Sequence, residues 1–338
     1  MTIAPTAPPA PPEIEQLATV AARMAAAVET VVVGRPELVR TSLAVLLAGG
    51  HLLLEDVPGL GKTTLAKALA RSIDCSVGRV QFTPDLLPSD LTGVTIFRPQ
   101  TQEFEFRPGP VFAHVVIGDE INRASPKTQA ALLECMQEAQ ATVDGTTYPL
   151  PRPFFVVATQ NPVEMEGTYP LPEAQRDRFM ARLSVGYPDA LTEVELLDRN
   201  EDGDPLDTLQ PVTHADEVQR LVGVARRLHA SPAVKRYVVD LVSATRDDPG
   251  LRLGASPRAS VQLLRAAKAL AAIAGRDHVL PDDVQELAEP VLAHRLLPST
   301  QARLSGRDTS DVVRSLLASV PVPSATPLAG ARGRRAAP

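Results

Sequence analysis

Residues 52–64 decide the fold, and they read LLLEDVPGLGKTT. Three leucines form a short apolar run, a turn with two glycines follows, and helical periodicity then occupies residues 62–73. An apolar strand, a glycine-containing turn and a helix start in this order are typical of a phosphate-binding loop. Its backbone N–H groups and the helix dipole behind them bind phosphate oxygens. The residues expected to bind the nucleotide here are Pro58, Gly59, Leu60, Gly61, Lys62, Thr63 and Thr64.

The polar residues of this turn have separate expected tasks. Lys62 would reach the β- and γ-phosphates, and the hydroxyl of Thr63 would ligate Mg²⁺. One position departs from the usual pattern, because Asp56 stands where the first glycine is expected. Aspartate tolerates unusual backbone angles better than most residues, so the turn can survive. The alternative is an ordinary glycine turn before a helix, and the order of strand, turn and helix argues against it.

A second polar group follows another apolar run, at residues 114–120, which read HVVIGDE. Asp119 would hold the Mg²⁺ through water, and Glu120 would polarise an attacking water as general base. The alternative is a pair of acids that cap a helix. A phosphate loop in the same chain favours the hydrolytic interpretation, because ATP hydrolysis needs an acidic strand end beside the phosphates.

Between these motifs the chain alternates between strand and helix patterns. Apolar runs at 52–54, 115–117 and 154–158 are typical of strands buried on both faces of a parallel sheet. Helical periodicity returns after a serine N-cap and a proline at the start of segment 125–139. This alternation predicts a layered α/β domain. Segment 93–106 alternates apolar and polar residues, and segment 142–148 contains an Asp-Gly pair, so both are predicted to be inserted hairpins.

Composition divides the rest of the chain. Residues 1–12 hold five prolines, and residues 320–338 mix proline, alanine, glycine and arginine, so both segments are predicted to be disordered. Residues 13–187 are predicted to form the α/β core. Helical patterns take over from residue 188, which predicts a smaller all-helical domain at 188–319. The length of 338 residues fits this division, at about 150 residues per domain.

Several classes of protein are disfavoured. A net charge of −6 gives no electrostatic footprint for sequence-independent nucleic-acid binding, and a local basic channel is the alternative that this charge leaves open. The two cysteines and six scattered histidines show no zinc-ligand spacing. The start of the chain has no signal-peptide pattern, and the longest apolar stretch, at 43–54, is too short to span a bilayer. We therefore expect a cytoplasmic protein without a membrane span.

The motifs taken together are similar to those of a known family. They read GLGKTT at 59–64, DEINRA at 119–124, KTQ at 127–129, ATQNP at 158–162, GTYPLPEAQ at 167–175, DRF at 177–179 and GASPRA at 254–259. Over about residues 30–300 the chain resembles the MoxR family of AAA+ ATPases. The resemblance implies a P-loop NTPase core, an αβα sandwich with a parallel sheet and inserted hairpins, followed by a small all-α lid domain. It also implies ATP and Mg²⁺ as cofactors.

The resemblance assigns further site residues. Asn161 resembles the sensor-1 residue that orients the lytic water or contacts the γ-phosphate; a turn-forming asparagine is the alternative. Arg178 is similar to the arginine finger that reaches the site of the next protomer, and Arg176 nearby leaves the choice between them open. Arg258 resembles sensor 2, which projects from the lid towards the nucleotide. For both Arg178 and Arg258, the alternative is an ordinary surface arginine. Gly34 lies where the adenine pocket of the family begins.

The resemblance also implies that the site is shared between protomers. Among the residues that one chain supplies from the carboxyl end of its sheet, Lys62 is the cation expected beside the γ-phosphate. Charge that spreads over the γ-phosphoryl oxygens in the transition state is usually met by a second cation. Arg178 of an adjacent protomer would supply it.

Three functions compete at this stage. The family implies a homo-oligomeric, hexameric ATP-driven chaperone that remodels or matures a client complex. That activity could include metal or cofactor loading with a separate von Willebrand factor A domain protein. A DNA-dependent motor is disfavoured by the net charge of −6, the absence of tryptophan and only four tyrosines. A nucleotide-gated scaffold without turnover is disfavoured because Lys62, Asp119, Glu120 and Arg178 are all present. The sequence does not identify the client.

Overall fold

Strands and helices alternate through the first half of the chain, and helices dominate the second. The computed structural model describes residues 7–162, 168–201 and 203–323. The strands are β1 Leu52–Glu55, β2 Ile73–Asp74, β3 Val77–Gln81, β4 Gly93–Arg98, β5 Glu103–Pro108, β6 Val115–Asp119, β7 Gln140–Val143, β8 Thr146–Pro149, β9 Phe155–Gln160, β10 Ala181–Leu183, β11 Thr213–His214, β12 Leu251–Leu253 and β13 Leu297–Pro298.

The helices vary from one turn to nineteen residues. They are α1 Pro11–Glu29, α2 Pro36–Leu47, α3 Lys62–Arg71, α4 Pro88–Thr92, α5 Pro126–Glu138, α6 Glu173–Arg176, α7 Ala190–Glu201, α8 Pro205–Thr208, α9 Ala215–Arg227, α10 Pro232–Asp247, α11 Pro257–Ile273, α12 Pro281–Leu292, α13 Thr300–Leu304 and α14 Thr309–Ser319, with 3₁₀ turns at Ile121–Arg123 and Ala293–Arg295.

The central sheet has five parallel strands in the order β10-β1-β9-β6-β3. The three apolar runs found in the sequence are the three inner strands, which confirms that prediction. The two edge strands were not predicted. Strand β3 reads VGRVQ and exposes alternate residues, while β10 has only three residues, so neither has the continuous apolar run of an inner strand.

The inner strands are buried on both faces, and successive side chains enter two different hydrophobic clusters. Leu52 and Leu54 of β1 pack with helices α1, α2 and α3, whereas Leu53 packs on the opposite face with α5. The strand period of two causes this division. The first cluster continues into the helical second half, because α11 packs against α1, α2 and α9. The predicted αβα sandwich with an adjoining all-helical part is therefore confirmed.

The two predicted hairpins are present beside the sheet. Strands β4 and β5 pair antiparallel from Gly93 to Pro108, and β7 pairs with β8 across Asp144 and Gly145. Both turn residues have positive φ, 49° and 79°, as a type I′ hairpin turn requires. Phe106 of the first hairpin stacks on Tyr148 of the second, with ring centroids 4.2 Å apart. The hairpins therefore contact each other.

The amino-terminal arm is shorter than predicted. Helix α1 begins at Pro11, so the last two residues of the proposed arm form the first helical turn, where proline is well tolerated. The apolar face of α1, from Ile14 to Val28, is buried and explains why the helix is ordered. Of the two predicted disordered segments, residues 1–6 and 324–338 lie outside the described residues, whereas residues 7–10 and 320–323 are described and lie outside helices and strands. Within the described ranges, no helix is long and apolar enough to cross a membrane.

Candidate nucleotide-binding site

The predicted phosphate loop and acidic residues meet at the carboxyl end of the sheet. The register places Glu55 of β1 beside Gln160 of β9, and Gln81 of β3 beside Asp119 of β6. A cavity of about 370 Å³ lies there. It is lined by Pro58, Gly59, Leu60, Gly61, Lys62, Thr63, Thr64, Arg79, Gln81, Asp119, Glu120, Thr159, Gln160 and Asn161. The motifs of the first half of the chain therefore converge on one site.

The phosphate loop has the backbone conformation that its glycines allow. Gly59 and Gly61 have φ of 85° and 81°, values that side-chain-bearing residues rarely adopt. A Cβ at Gly59 would meet nothing within 4 Å, so the glycine is needed for its backbone angles and not for space. Gly61 is the N-cap of α3, and Lys62 begins the helix. The Lys62 ammonium donates to the carbonyl of Asp56 and, at 2.7 Å, to that of Val57.

Asp56 has a structural role where the usual loop has glycine. Its carboxylate accepts hydrogen bonds from the Ser184 hydroxyl at 2.6 Å, the Gly186 N–H at 2.8 Å and the Val57 N–H at 2.9 Å. Burial alone would raise the pKa of Asp56, but these hydrogen bonds and the nearby Lys62 charge lower it below its ordinary value. Asp56 thereby joins the phosphate loop to the segment that follows β10.

The proposed magnesium ligands are already paired. The Thr63 hydroxyl donates to Asp119 Oδ1 at 2.7 Å, and Arg79 Nε donates to Oδ2 of the same carboxylate at 2.9 Å. Asp119 is only 4% exposed. A hydroxyl and a carboxylate are the hard oxygen donors that Mg²⁺ prefers, so these side chains fit the metal that an ATP site requires. When bound, Mg²⁺ would neutralise phosphate charge.

Glu120 lies at the mouth of the same cavity in an unusual backbone conformation. Its φ is 59°, which costs about 1–2 kcal/mol for a residue with a side chain. The Thr159 hydroxyl accepts the Glu120 N–H at 3.0 Å. The Glu120 carboxylate accepts from Gln81 at 3.1 Å and forms an ion pair with Arg123 at 2.9 Å. Strained residues of this kind cluster at functional sites, which agrees with the proposed role as base.

Asn161 is buried at the end of β9 and lines the cavity beside Glu120. Its backbone carbonyl accepts a hydrogen bond from the Asn122 amide at 3.0 Å. Asn122 follows β6, so this bond joins the ends of two adjacent strands. The position beside both the acidic residues and the phosphate loop is the one that the sensor-1 prediction requires.

Sequence reasoning missed three polar residues of this site. Arg79 and Gln81 belong to edge strand β3, and each contacts one of the two acidic residues. Arg123 lies within the motif at 119–124 but had no predicted role. The expectation that Lys62 is the one cation that a chain brings to this cavity is therefore wrong, because Arg79 also lines the cavity and Arg123 pairs with Glu120. The alternation of residue types in VGRVQ, at residues 77–81, was the signal in the sequence that could have identified strand β3.

The segment predicted to begin the adenine pocket lies close to the phosphate loop. A second cavity of about 320 Å³ shares Gly59 and Gly61 with the first. Its apolar walls come from Val31, Val32, Val33, Val185, Pro188 and Leu196. Gly34 lines a separate cavity. Its φ is 68°, and a Cβ there would meet the Thr192 hydroxyl at 2.8 Å, so Gly34 is suited to a tight turn, while its neighbours Val33 and Arg35 line the second cavity.

The predicted arginines Arg178 and Arg258 lie at the opposite end of the sheet, where the parallel strands begin. His51 and Phe154, which directly precede β1 and β9, line a third cavity of about 420 Å³. This third cavity is called the arginine cavity, because five arginines line it: Arg152, Arg178, Arg226, Arg258 and Arg265. Within the described ranges, no carboxylate lies within 4 Å of any of these arginines except Asp177, which is 4.0 Å from Arg258. Burial lowers the pKa of Arg226, and the charges of Arg265 and Arg152 add to this effect.

This location corrects one expectation about Arg258. It was expected to project from the lid towards the nucleotide, but the structure places it with Arg178 in the lining of the arginine cavity and not in the lining of the cavity beside the phosphate loop. The reason is that α11 packs on helices α1, α2 and α9 instead of covering the loop. Arg176 does not line the arginine cavity; burial lowers its pKa, while the nearby Glu173 and Glu55 oppose this shift.

Comparisons with known proteins agree with this geometry. Residues 51–181 match the model of the ATPase family associated with various cellular activities, and residues 243–316 match an AAA lid domain. YeaC from Bacillus subtilis is 50% identical over 296 residues, which cover 88% of this chain and 92% of YeaC. Chaperone MoxR1 from Mycobacterium tuberculosis is 42% identical over 305 residues, which cover 88% of this chain and 80% of that protein.

A solved structure has the same architecture. The crystal structure of a candidate ATPase from Cytophaga hutchinsonii superposes with a TM-score of 0.85 at 39% identity, and the match covers 93% of this chain and 98% of that one. Similarity over nearly the whole chain to proteins named MoxR, together with the phosphate loop and the AAA match, shows that the chain belongs to the MoxR family of AAA+ ATPases.

Proposed function

We propose that this protein is an ATP-hydrolysing MoxR chaperone whose active sites form between the subunits of a homo-oligomer, by family resemblance a hexameric ring. The observation that supports this is the separation of two groups of residues. Lys62, Asp119 and Glu120 line a cavity at the carboxyl end of the sheet, while Arg178 and Arg258 line the arginine cavity at the amino end. One chain does not bring these groups together, whereas two neighbours in a head-to-tail ring can.

Each residue then has a role in hydrolysis. The phosphate loop and Lys62 bind the triphosphate, with the adenine against Val31–Val33 in the adjoining cavity. Thr63 and Asp119 hold Mg²⁺. Glu120 removes a proton from the attacking water, which Asn161 orients. Arg178 and Arg258 of the neighbouring subunit neutralise charge that develops on the γ-phosphoryl oxygens, a contribution that can reach 10³–10⁵ in rate for an arginine finger.

Of the two finger candidates, the geometry favours Arg178. Its side chain lines the arginine cavity beside Arg258, and its Nε donates to Gln137 at 3.1 Å. Arg176 lies apart from this cavity, near Glu173 and Glu55. A cation that must reach a neighbour's nucleotide has to lie on an open face, and Arg178 meets this condition.

Mixing two inactive variants tests the shared site. Lys62→Ala should lose ATP binding, because it removes the charge that faces the phosphates, and Arg178→Ala should bind ATP but hydrolyse it poorly. A mixture should recover part of the wild-type ATPase rate, because some interfaces pair an intact phosphate loop with an intact finger. Steady-state phosphate release measures the recovery, and fluorescence energy transfer between labelled subunits verifies exchange.

The matched control mixes Lys62→Ala with Glu120→Gln. Both changes damage the same half of the site, so no interface in that mixture is complete and no activity should return. Exchanged subunits without rescue in the first mixture, or a fully active monomer, would exclude the shared-site mechanism. If Arg176→Ala binds ATP, hydrolyses it poorly and is rescued in the mixture, while Arg178→Ala is not affected in this way, Arg176 is the finger.

The work coupled to hydrolysis is proposed from the family. The similarity to a protein named Chaperone MoxR1 supports a chaperone activity. From the family resemblance we propose that this activity remodels a client complex in the cytoplasm, with a von Willebrand factor A domain protein as partner. Because Glu120→Gln should bind ATP without completing the cycle, it should hold client and partner long enough for capture. Mass spectrometry of proteins retained with ATP and lost without it would identify them.

A further inference from the structure

Arg295 is a buried arginine that the proposed mechanism does not yet use. It ends the 3₁₀ turn Ala293–Arg295 after α12, and its side chain is only 2% exposed. Burial lowers its pKa to about 10, and the neighbouring Asp177 carboxylate opposes that shift. The guanidinium is therefore still charged at neutral pH. A buried charge is unfavourable unless it is paired and hydrogen-bonded, so its partners are informative.

The partners of Arg295 lie on both sides of the finger. Its Nε donates to Asp177 Oδ1 at 2.8 Å. Its Nη2 donates to the Phe179 carbonyl at 2.6 Å, and its Nη1 donates to the Met180 carbonyl at 3.2 Å. Arg178 is the residue between these anchors. The planar guanidinium thus holds the backbone from which the finger projects, without a hydrogen bond to the finger itself.

The other donors of Arg295 bind the helical part of the chain. They reach the Val291 carbonyl of α12 and the Gln262 side chain of α11. The imidazole of His294, the adjacent residue, lies 3.2 Å from the Phe179 carbonyl. Phe179 is fully buried in the cluster on the α5 face of the sheet. The finger segment is therefore fixed between the sheet and the helical domain, and Arg295 joins the two together with His294.

Asp177 extends this network to the second catalytic arginine. Its Oδ2 lies 4.0 Å from Arg258 Nη1 and accepts a long hydrogen bond from Ser256 at 3.5 Å. Oδ1 is occupied by Arg295. One carboxylate thus separates a buried structural arginine from an arginine of the cavity. The buried arginine, Arg295, holds the charged carboxylate of Asp177 in place.

We propose that Arg295 is a positioning residue for the arginine finger: it holds the backbone around Arg178 in the geometry needed to reach the neighbour's nucleotide, and it affects hydrolysis only through that residue. This inference rests on the proposed function, in which Arg178 acts in the adjacent site. A misplacement of about 1 Å at a catalytic group can cost about 10²-fold in rate, so loss of the clamp should be visible in turnover.

The test compares Arg295→Met and Arg295→Lys in the wild-type and Arg178→Ala backgrounds. In the wild-type background, Arg295→Met should lower kcat by about 10- to 100-fold and leave KM for ATP within about twofold, because the phosphate loop is untouched. Arg295→Lys should be intermediate, since an ammonium keeps the charge beside Asp177 but cannot span the carbonyl acceptors. In the Arg178→Ala background, neither change should reduce kcat further.

The matched control is Arg276→Met. Arg276 forms a comparable ion pair with Asp283, which is 5% exposed, and both residues belong to the helical domain. Its loss should lower the melting temperature as Arg295→Met does, but leave kcat unchanged. Circular dichroism and analytical ultracentrifugation establish that each variant is folded and assembled before turnover is compared.

Each outcome has a distinct meaning. Wild-type kcat in folded Arg295→Met, or an equal loss of kcat in both Arg178 backgrounds, would overturn the inference and leave Arg295 with a purely structural role. If Arg295→Met does not fold, Arg295→Lys decides by the same two criteria. Full activity of Arg178→Ala alone would instead refute the shared-site proposal, so the two failures are distinguishable.

Discussion

Single residues at the carboxyl edge of the sheet combine structural strain with chemical function. Glu120 adopts φ of 59° directly after the last residue of β6 and is held by Thr159, Gln81 and Arg123. Gln81 and Arg123 hold the Glu120 carboxylate in one orientation, so this side chain has little conformational freedom before the attacking water arrives. The conformational entropy of the Glu120 side chain is therefore lost on folding and not during the hydrolysis reaction.

Replacing Glu120 by glutamine should separate binding from chemistry. The amide keeps the shape of the side chain but cannot accept a proton, so ATP hydrolysis should slow by about 10²-fold or more while ATP affinity is retained. Single-turnover kinetics and titration with a fluorescent ATP analogue measure the two quantities. Glu105→Gln, which changes a half-buried carboxylate of the first hairpin paired with Arg98, is the matched control. Wild-type turnover in Glu120→Gln would show that another group is the base.

At the scale of elements, one histidine joins three of them at the amino edge of the sheet. His51 precedes β1 and is buried. Its Nδ1 accepts the Val156 N–H of β9 at 3.1 Å, and its Nε2 lies 3.1 Å from the Met136 carbonyl of α5. The neutral tautomer with hydrogen on Nε2 satisfies both contacts. Protonation of Nδ1 would place its new N–H against the N–H of Val156, so that two donors would face each other. Burial lowers the pKa of His51 to about 4.

This pairing predicts a pH-dependent stability. Below about pH 6.5 the unfolded chain takes up a proton at residue 51, whereas the folded chain does so only near pH 4. The folded pKa is depressed, so the free energy of unfolding should fall as pH decreases through this window, by about 2 kcal/mol between pH 7 and pH 5 for this residue. Urea unfolding at several pH values measures it.

Two variants isolate the contribution of His51 to that pH dependence. His51→Gln should flatten it, although His294, whose pKa burial also lowers, should retain a part of it. His229→Gln replaces an exposed histidine and should change nothing. An equal pH slope in the wild type and in His51→Gln would contradict this account.

At the scale of the whole molecule, the packing of the helical domain decides where its arginines act. Helix α11 lies against α1, α2 and α9, and its second residue, Arg258, faces the arginine cavity. Arg258→Ala should therefore leave the ATP affinity of its own phosphate loop unchanged and lower turnover, with rescue by Lys62→Ala subunits.

Arg252→Ala, at an exposed position of β12, is the control for Arg258→Ala and should hydrolyse ATP normally. Titration of each variant under conditions that keep it monomeric gives the intrinsic affinity for ATP. Weaker binding by monomeric Arg258→Ala would show that the residue reaches the nucleotide of its own chain after all. That result would restore the original expectation that Arg258 projects from the lid towards the nucleotide.

The sequence by itself determined what depends on neighbouring residues. Gly59 and Gly61 set the backbone angles of the phosphate loop, the leucines before them can only form a buried strand, and Asp144-Gly145 specifies a tight hairpin turn. These choices are made locally, within a few residues, so the pattern of residue types is sufficient to predict them.

Only the tertiary structure decided what depends on distant segments. Strand β10 has only three residues and β3 lacks the continuous apolar run of an inner strand, so the positions of Arg79 and Gln81 became clear only from the pairing of β3 with β6. The arginine cavity draws its basic residues from positions 152 to 265, and each of them alone resembles a solvated surface arginine. Arg295 acquires its partners because α12 ends against the finger segment. Side-chain proximity across more than a hundred residues is a property of packing, which no local pattern encodes.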